Sequence, residues 1–180
     1  MSKQIAAESL DAGAFSRHLD AESKVSERPH DHATELRLWL RLLASTNLIE
    51  GEVRKRLRKQ FDTTLPRFDL LAQLERVEDG LLLGELSRRM MVSNGNVTGL
   101  VERLAQSGLI ERNVLEADRR AVRVRLTDKG RRVFQEMAAA HAEWIGELFA
   151  DLCDAEQQAL WSQLGDLKGS VLAATRRRGG

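Results

Sequence analysis

The sequence predicts a mainly α-helical chain that carries one small β-hairpin. Apolar residues recur at spacings of three and four over most of residues 33–175, which is the pattern of amphipathic helices. Strict alternation of apolar and polar residues is confined to residues 109–126 and is typical of two short strands. The chain has 180 residues, of which 42% are hydrophobic and 31% are charged. It can therefore bury a core of ordinary size.

The composition excludes several other classes of protein. Cys153 is the only cysteine, which rules out an internal disulfide framework and an all-cysteine zinc site. No segment approaches the roughly 18 apolar residues of a membrane helix, and residues 1–20 lack the layout of a signal peptide. We therefore expect a cytoplasmic protein. His18, His30 and His32 lie in a polar stretch, and we predict no metal site.

The N-terminal part predicts an extension followed by two helices. Residues 1–33 contain few large apolar side chains and predict a mobile segment. Residues 33–60 form a long amphipathic pattern whose apolar stripe is wide enough to face apolar neighbours on two sides. Pro66 suits the first turn of a second helix that runs to about Val77.

The middle of the chain predicts two short helices and a hairpin. After a turn at residues 78–80, the apolar run 81–83 can form an isolated strand. Helices follow near residues 84–91 and 94–107, and Gly108 suits the C-terminal cap of the second. Strands over 109–115 and 121–126 are joined by the charged connection 116–120.

Two long helices complete the prediction. Thr127 is a good N-cap for a helix that runs to about Leu152. Asp154 can cap a final helix to about Thr175, with Gln157 placed to complete a capping box. The last residues form a basic tail.

Charge is distributed unevenly along the chain. Residues 84–132 hold eleven Lys or Arg against six Asp or Glu, a net charge of +5, and the rest of the chain has a net charge of −4. A basic third on an acidic frame is typical of nucleic-acid binding. A solvated charged face would give the same pattern.

Short helix, tight turn, second helix and charged hairpin follow the order of a winged helix-turn-helix. The second helix buries an apolar stripe and presents a slim polar face, made of Asn94, Asn96, Thr98, Gly99 and Arg103. Asn and Arg side chains carry the donors and acceptors that distinguish adenine and guanine in the major groove. Gly95 and Gly99 each cost about 1 kcal/mol of helix propensity relative to Ala. Close approach of the backbone to DNA would explain them, and so would tight helix packing.

The predicted hairpin ends in Asp118, Arg119 and Arg120. Two arginines at this tip can reach a minor groove, where narrow A/T-rich segments concentrate negative potential. Asp118 can hold one guanidinium by a charge-assisted pair. In isolation the tip would be an ordinary solvated turn, but directly after a helix-turn-helix it predicts a wing.

These residues resemble the MarR-type regulators, the multiple-antibiotic-resistance family of winged helix-turn-helix transcription factors. The resemblance covers residues 36–167. It depends on the ordered segments Gly84-Glu85-Leu86-Ser87, Val97 to Leu104, Gly108 to Arg112, Asp118-Arg119-Arg120, and Val124 to Thr127 followed by Gly130. The ordered set is far more specific than any one segment.

The resemblance implies an obligate homodimer with interleaved terminal helices. Its two winged domains would bind a pseudo-palindromic operator in double-stranded DNA. The family pattern places DNA contacts at Ser93, Asn94, Asn96, Thr98, Arg103, Arg119 and Arg120, with Asp118 bracing the wing. Independently, the helices outside the winged domain have apolar stripes too wide for so small a core, which indicates burial against a second copy.

The predicted organisation has five parts. They are a mobile extension over residues 1–33, a dimerisation helix over 34–64, a winged helix-turn-helix DNA-binding domain over 65–126, C-terminal dimerisation helices over 127–175 and a basic tail over 176–180.

A narrower resemblance concerns residues 37–43 and 61–71. They are similar to a subgroup of proteobacterial regulators of aromatic-acid degradation, including hydroxycinnamate and benzoate pathways. This implies a repressor of catabolic genes that an aromatic acid or its acyl-CoA thioester releases from DNA. Such a ligand needs an apolar slot and cations for its phosphates, and the candidate effector-binding residues are Arg37, Trp39, Arg41, Leu43, Phe68, Leu71 and His141, with a basic run over 54–59. Ordinary core packing is the alternative for Trp39.

Other functions stay open at this point. The chain could be a MarR-type regulator that answers a different phenolic or drug-like ligand, a thiol-based redox sensor using Cys153, or a protein-interaction scaffold. The basic third argues against a scaffold, and the chain has no tyrosine that could hydrogen-bond a sensing thiol. We expect no enzyme, because no segment resembles a nucleophile elbow and Cys153 has no histidine near it in the sequence.

Overall fold

A computed structural model describes residues 33–91, 94–115 and 118–178. Its elements in chain order are α1 (Thr34–Phe61), α2 (Leu65–Glu75), β1 (Leu81–Leu82), α3 (Leu83–Met90), α4 (Asn94–Gln106), β2 (Ile110–Leu115), β3 (Asp118–Leu126), α5 (Asp128–Leu148) and α6 (Asp154–Arg178). The fold is mainly α-helical with a small antiparallel sheet, as predicted. The chain divides into two compact units, residues 1–139 and 140–180.

Helices α1 and α2 begin and end close to their predicted limits. Asp62 adopts a left-handed conformation after α1, and its N–H donates to the carbonyl oxygen of Arg58 at 3.2 Å. Pro66 lies in the first turn of α2, where its missing N–H costs no helical hydrogen bond. Only Ala44, Val53 and Leu57 of α1 are buried, so much of the wide apolar stripe of α1 is exposed.

The core of the first unit lies between α2, α3, α4 and the sheet. Helix α2 contributes a buried face of Phe68, Leu70, Leu71 and Leu74, and Leu86, Val97, Val101, Leu104 and Val124 are also buried. The ring centroids of Phe68 and Phe134 lie 5.6 Å apart at an interplanar angle of 33°. This contact packs α2 against the first half of α5.

The sheet has the strand order β1-β3-β2, and every neighbouring pair is antiparallel. The predicted isolated strand over 81–83 is wrong in two respects, because Leu81 and Leu82 pair with Val124 and Arg123 while Leu83 already begins α3. The predicted connection over 116–120 is also too long. Strand β3 begins at Asp118, where a register shift near Leu115 lets pairing continue.

In the second unit, the junction between α5 and α6 differs from the prediction. Helix α5 ends at Leu148 rather than near Leu152. Cys153, not Asp154, precedes α6, and its N–H donates to Oε2 of Glu156 at 2.8 Å. Glu156 therefore fills the role predicted for Gln157, whose Nε2 instead donates to the carbonyl oxygen of Leu152 at 2.9 Å.

Helix α6 continues to Arg178. The predicted basic tail over 176–180 is therefore helical as far as the structure describes it. Large apolar side chains on α6 are exposed, among them Trp161, Leu164, Val171 and Leu172. None of the helices in the described ranges is long and apolar enough to cross a membrane.

Candidate nucleic-acid interface

Helix α4 has one buried face and one open face. Val97, Val101 and Leu104 are at most 1% exposed and fix the helix on the core. On the other side, Asn96 and Arg103 are exposed. Burial of one stripe thus holds an amide and a guanidinium toward solvent, as a helix that enters the major groove requires.

The glycines of α4 are not explained by packing within the described residues. A Cβ built on Gly95 meets no atom within 4 Å, and one built on Gly99 meets only the guanidinium of Arg103, at 3.8 Å. Tight helix–helix contact, one of the two explanations offered by the sequence, is therefore absent around both glycines in this part of the chain. The open face has room for another molecule to approach the backbone.

Helix α3 packs against α4 and carries two exposed arginines. Leu86 and Ser87 are buried, while Arg88 and Arg89 are exposed. Arg89 donates to the carboxylate of Glu85 at 2.7 Å, and this exposed pair one helical turn apart contributes little to stability.

The wing carries its charges on the face that points away from the core. The side chains of Val124 and Leu126 are buried, and the alternate residues Arg123 and Arg125 lie on the opposite face. Arg125 forms an ion pair with Glu111 on the neighbouring strand β2. Cross-strand pairs of opposite charge favour this register.

The predicted DNA contacts fall into two groups. Asn96, Thr98 and Arg103 lie on α4, where the first and last are exposed and Thr98 is half-buried. Ser93 lies outside the described residues, as do the side chains of Asn94, Asp118, Arg119 and Arg120, although α4 begins at Asn94 and β3 at Asp118. Their DNA contacts remain predictions.

The junction that follows α4 contains residues that sequence reasoning missed. Thr127 was predicted as an N-cap, and its Oγ1 does accept the N–H of Gly130 at 3.0 Å. The same hydroxyl also donates to the carbonyl oxygen of Gly108 at 2.7 Å, and Lys129 donates to that of Ser107 at 3.0 Å. The spacing Thr-x-x-Gly after a strand was the available signal, because a small residue at the third helical position leaves room for a neighbouring carbonyl.

The candidate effector residues are not all exposed on one surface. On α1, Trp39 is 57% exposed, Arg41 is exposed, and Arg37 and Leu43 are half-buried. Phe68 and Leu71 instead belong to the core of the first unit, at 7% and 1% exposure. The structure thus places these two in packing contacts rather than on an open slot.

His141 lies in the second unit, on α5. Its ring meets that of Trp144 edge-on, with centroids 6.4 Å apart. Partial burial lowers the pKa of His141 below its usual value, because the charged imidazolium loses hydration. A neutral imidazole against an indole edge fits a packing role as well as a ligand contact.

Part of the basic run of α1 is paired with two glutamates of the same helix, Glu50 and Glu52. Arg54 donates to Glu50 at 2.9 Å and Arg56 donates to Glu52 at 2.8 Å. The hydrogen bond from Arg56 lowers the pKa of Glu52. The run therefore offers less net positive charge to a phosphate than its sequence suggested.

Two smaller expectations concern metal and thiol chemistry. Within the described ranges, no three His, Cys, Asp or Glu side chains lie together in a way that could hold a metal ion. The histidines His18, His30 and His32 lie outside those ranges. Cys153 is exposed. Its backbone N–H donates to Glu156, and its carbonyl oxygen accepts the N–H of Gln157 at 3.0 Å.

Comparison with known proteins agrees with this geometry. A family model described as MarR family matches residues 61–121. The chain is 30% identical over 132 residues to the uncharacterized HTH-type transcriptional regulator YsmB of Bacillus subtilis, an alignment that covers 73% of this chain and 88% of that protein. A crystal structure of a MarR family transcriptional regulator from Silicibacter pomeroyi superposes with a TM-score of 0.66 at 32% identity, covering 76% of this chain and 94% of that one.

Two more distant structures share the fold. The first is MepR of S. aureus in complex with DNA, with a TM-score of 0.63, 22% identity and coverage of 77% of this chain and 99% of that one. The second is CouR from Rhodococcus jostii RHA1 bound to p-coumaroyl-CoA, with a TM-score of 0.61, 19% identity and coverage of 72% and 90%. The family match, the relatives and the open face of α4 together show that this chain belongs to the MarR family and is a DNA-binding transcriptional regulator, not an enzyme.

Proposed function

We propose that the chain binds a pseudo-palindromic operator as a homodimer, represses the genes beside it, and leaves the DNA when an aromatic acid or its acyl-CoA thioester binds. The observation that carries the proposal is the open face of α4. Asn96 and Arg103 are exposed there beside two glycines that no packing within the described residues requires. A slim helix with an amide and a guanidinium suits a DNA major groove.

The substitution Gly99→Leu tests this use of the open face. Among the described residues, a Cβ at this position meets only the guanidinium of Arg103, at 3.8 Å, and leucine is a better helix former than glycine. We therefore expect unchanged or higher thermal stability together with a large loss of operator affinity, measured by fluorescence anisotropy. Gln106→Leu, an equally apolar change at the exposed end of α4, is the matched control. Unchanged affinity in Gly99→Leu would contradict the proposed DNA-binding face.

Exposed apolar side chains support the homodimer. On α1, Leu36, Leu38, Trp39 and Leu48 are 44–57% exposed, and on α6 Trp161 is 76% exposed. Large apolar groups clustered on helices in this way mark interaction surfaces, and a two-fold dimer is the commonest arrangement that buries them.

Sedimentation velocity tests the dimer directly. Trp161→Lys should shift the protein toward a monomer and weaken operator binding, because a buried ammonium without a partner is costly. Ser162→Lys places the same charge on the adjacent, already exposed position of α6 and should leave the dimer intact. A wild-type protein that sediments as a monomer at concentrations that saturate DNA would contradict this part of the proposal.

The effector assignment is supported by residues on α1. Trp39 presents an aromatic surface, Arg41 is exposed, and the Nε atom of the half-buried Arg37 is buried with no hydrogen-bond partner among the described residues. The unpartnered Nε of Arg37 suits an anionic group of a ligand. The exposed indole of Trp39 suits a ring. The bound p-coumaroyl-CoA in CouR shows that this fold can hold such a ligand.

In vitro transcription tests repression and release together, from a promoter that contains an operator selected with this protein from a random DNA pool. The protein should lower transcript yield, and p-coumaroyl-CoA should restore it more effectively than free coenzyme A or p-coumarate. Arg37→Gln should need more ligand for release, whereas Arg76→Gln, at an exposed arginine after α2, should behave as wild type. Activation of transcription by the protein would contradict repression. No effect of any of the three compounds would contradict release by an aromatic effector.

A further inference from the structure

Several hydrogen bonds join the residues that follow α4 to the start of α5. The hydroxyl of Thr127 donates to the carbonyl oxygen of Gly108 at 2.7 Å and accepts the N–H of Gly130 at 3.0 Å. The backbone N–H of Thr127 donates to the carbonyl oxygen of Leu109 at 3.1 Å. One threonine thus satisfies groups that follow α4 and groups that begin α5.

Two neighbours of Thr127 tighten the same junction. The ammonium group of Lys129 donates to the carbonyl oxygen of Ser107 at 3.0 Å. A Cβ on Gly130 would lie 1.8 Å from the carbonyl oxygen of Leu109, so only glycine permits this approach. We call the set Ser107, Gly108, Leu109, Thr127, Lys129 and Gly130 the α4–α5 clamp.

The clamp reaches a candidate base-contacting residue through the backbone. The N–H and the hydroxyl of Ser107 both donate to the carbonyl oxygen of Arg103, at 3.1 Å and 2.9 Å. Arg103 is exposed in the last turn of α4. The carbonyl oxygen of Arg103 is thus bonded twice by Ser107, whose own carbonyl oxygen accepts a hydrogen bond from Lys129.

We infer that Thr127 is a positioning residue for DNA sequence discrimination, because its hydroxyl fixes the C-terminal end of α4 against α5. The inference depends on the proposed use of the open face of α4 for base recognition. A bidentate contact to a base edge requires placement within about 0.5 Å, whereas attraction to phosphates tolerates much larger displacements. Loss of the clamp should therefore reduce specific binding and spare non-specific binding.

Thr127→Val removes the hydroxyl and keeps the shape of the side chain, and Thr127→Ser keeps the hydroxyl. The experiment measures the dissociation constant of each protein for the selected operator and for a scrambled duplex of equal length, with the active fraction fixed by stoichiometric titration. We define the specificity ratio as the dissociation constant for the scrambled duplex divided by that for the operator. We expect this ratio to fall about tenfold in Thr127→Val, since one misplaced bidentate contact forfeits discrimination of this order. Thr127→Ser should restore the ratio.

A purely structural role for Thr127 gives a different result. If the variant only unfolds more easily, the active fraction falls but the ratio of dissociation constants stays at the wild-type value, and that outcome overturns the inference. Thr175→Val is the matched control, because it removes a threonine hydroxyl that donates to the carbonyl oxygen of Leu172 at 3.0 Å on α6. It should leave the ratio unchanged. If the wild-type protein itself binds the operator and the scrambled duplex with similar dissociation constants, the proposed base recognition is refuted.

Discussion

The carbonyl oxygen of Leu109 occupies the space that a side chain on Gly130 would need, since a Cβ there would lie only 1.8 Å away. Gly130→Ala should therefore force α5 away from the residue that follows α4. We expect the free energy of unfolding to fall by at least about 2 kcal/mol, the size typical of overpacking against rigid backbone. Urea unfolding followed by circular dichroism measures it.

Gly146→Ala is the control on the same helix. A Cβ at Gly146 meets no atom of the described residues within 4 Å, so the substitution should stabilise α5 by about 0.5–1 kcal/mol through backbone entropy. Equal effects at the two glycines would contradict the close approach of Leu109 to Gly130.

Asn96→Ala should relax the base preference of the protein. The amide is exposed on the open face of α4, where it can bond the N6 and N7 atoms of an adenine, a contact that discriminates by about 1–3 kcal/mol. Competition of variant operators against a labelled site measures the loss at each position. Gln106→Ala, an amide at the exposed end of the same helix, should keep the wild-type preference. An unchanged preference in Asn96→Ala would remove this residue from base recognition.

Arg120→Ala should weaken binding to A/T-flanked operators more than to G/C-flanked operators. The basis is the predicted insertion of the wing arginine into a narrow minor groove, at the β2–β3 hairpin. Binding constants for the two flank classes measure the difference. Arg125→Ala is the control. Arg125 lies farther along β3 and pairs with Glu111, so its loss should weaken binding equally on both flank classes or not at all. Equal weakening on both flank classes would mean that Arg120 contacts phosphates only.

His141 should make the protein less stable in mild acid. Burial lowers its pKa from the usual 6.5, so the unfolded chain takes up the proton at a higher pH than the folded chain. The stability from the neutral ring is complete above pH 6.5 and is lost as pH falls through the lower folded-state pKa. Urea unfolding between about pH 7.5 and pH 5.5 should show a smaller pH dependence in His141→Gln than in wild type.

Asp69 provides a control of opposite sign. Asp69 is exposed at its surface, but partial desolvation of its carboxyl group, with a second contribution from the charge of Glu50, raises its pKa above 3.8. Its contribution to stability therefore grows as pH falls toward that value. In Asp69→Asn, the free energy of unfolding should therefore fall more steeply with decreasing pH than in wild type, or equally steeply. A pH dependence identical in wild type and His141→Gln would show that another group titrates in this range.

The sequence predicted the long elements well because their signals extend over many residues. Local rules predicted three features that the structure contains. They are the long helix α1 from its apolar stripe, the start of α2 from its proline, and the end of α4 from the glycine that follows it. Strand β1 was misjudged because two residues carry no periodicity, and only pairing with Val124 and Arg123 defines it.

The candidate sites also differ in whether local sequence signals or the tertiary fold determine them. The open face of α4 could be predicted because burial of Val97 and Leu104 dictates what faces solvent. The effector slot could not, because an apolar residue at helical spacing looks the same whether it lines a ligand or fills a core, as Phe68 and Leu71 do. The sequence signalled only the capping part of the α4–α5 clamp, through Thr127 and Gly130. The bonds to Ser107 and Gly108 could not be predicted, because their acceptors are backbone carbonyls whose positions depend on the tertiary fold.

Selection of bound fragments from a random DNA pool, sequenced after several rounds, tests the central claim most directly. Two recognition helices related by a two-fold axis should enrich a pseudo-palindrome with half-site centres about ten base pairs apart, one turn of B-DNA. The Asn96→Ala protein, selected in parallel, should enrich a motif with less information at one symmetric pair of positions. An enriched pool without a symmetric motif would leave only non-specific binding and would contradict the proposed dimeric operator recognition.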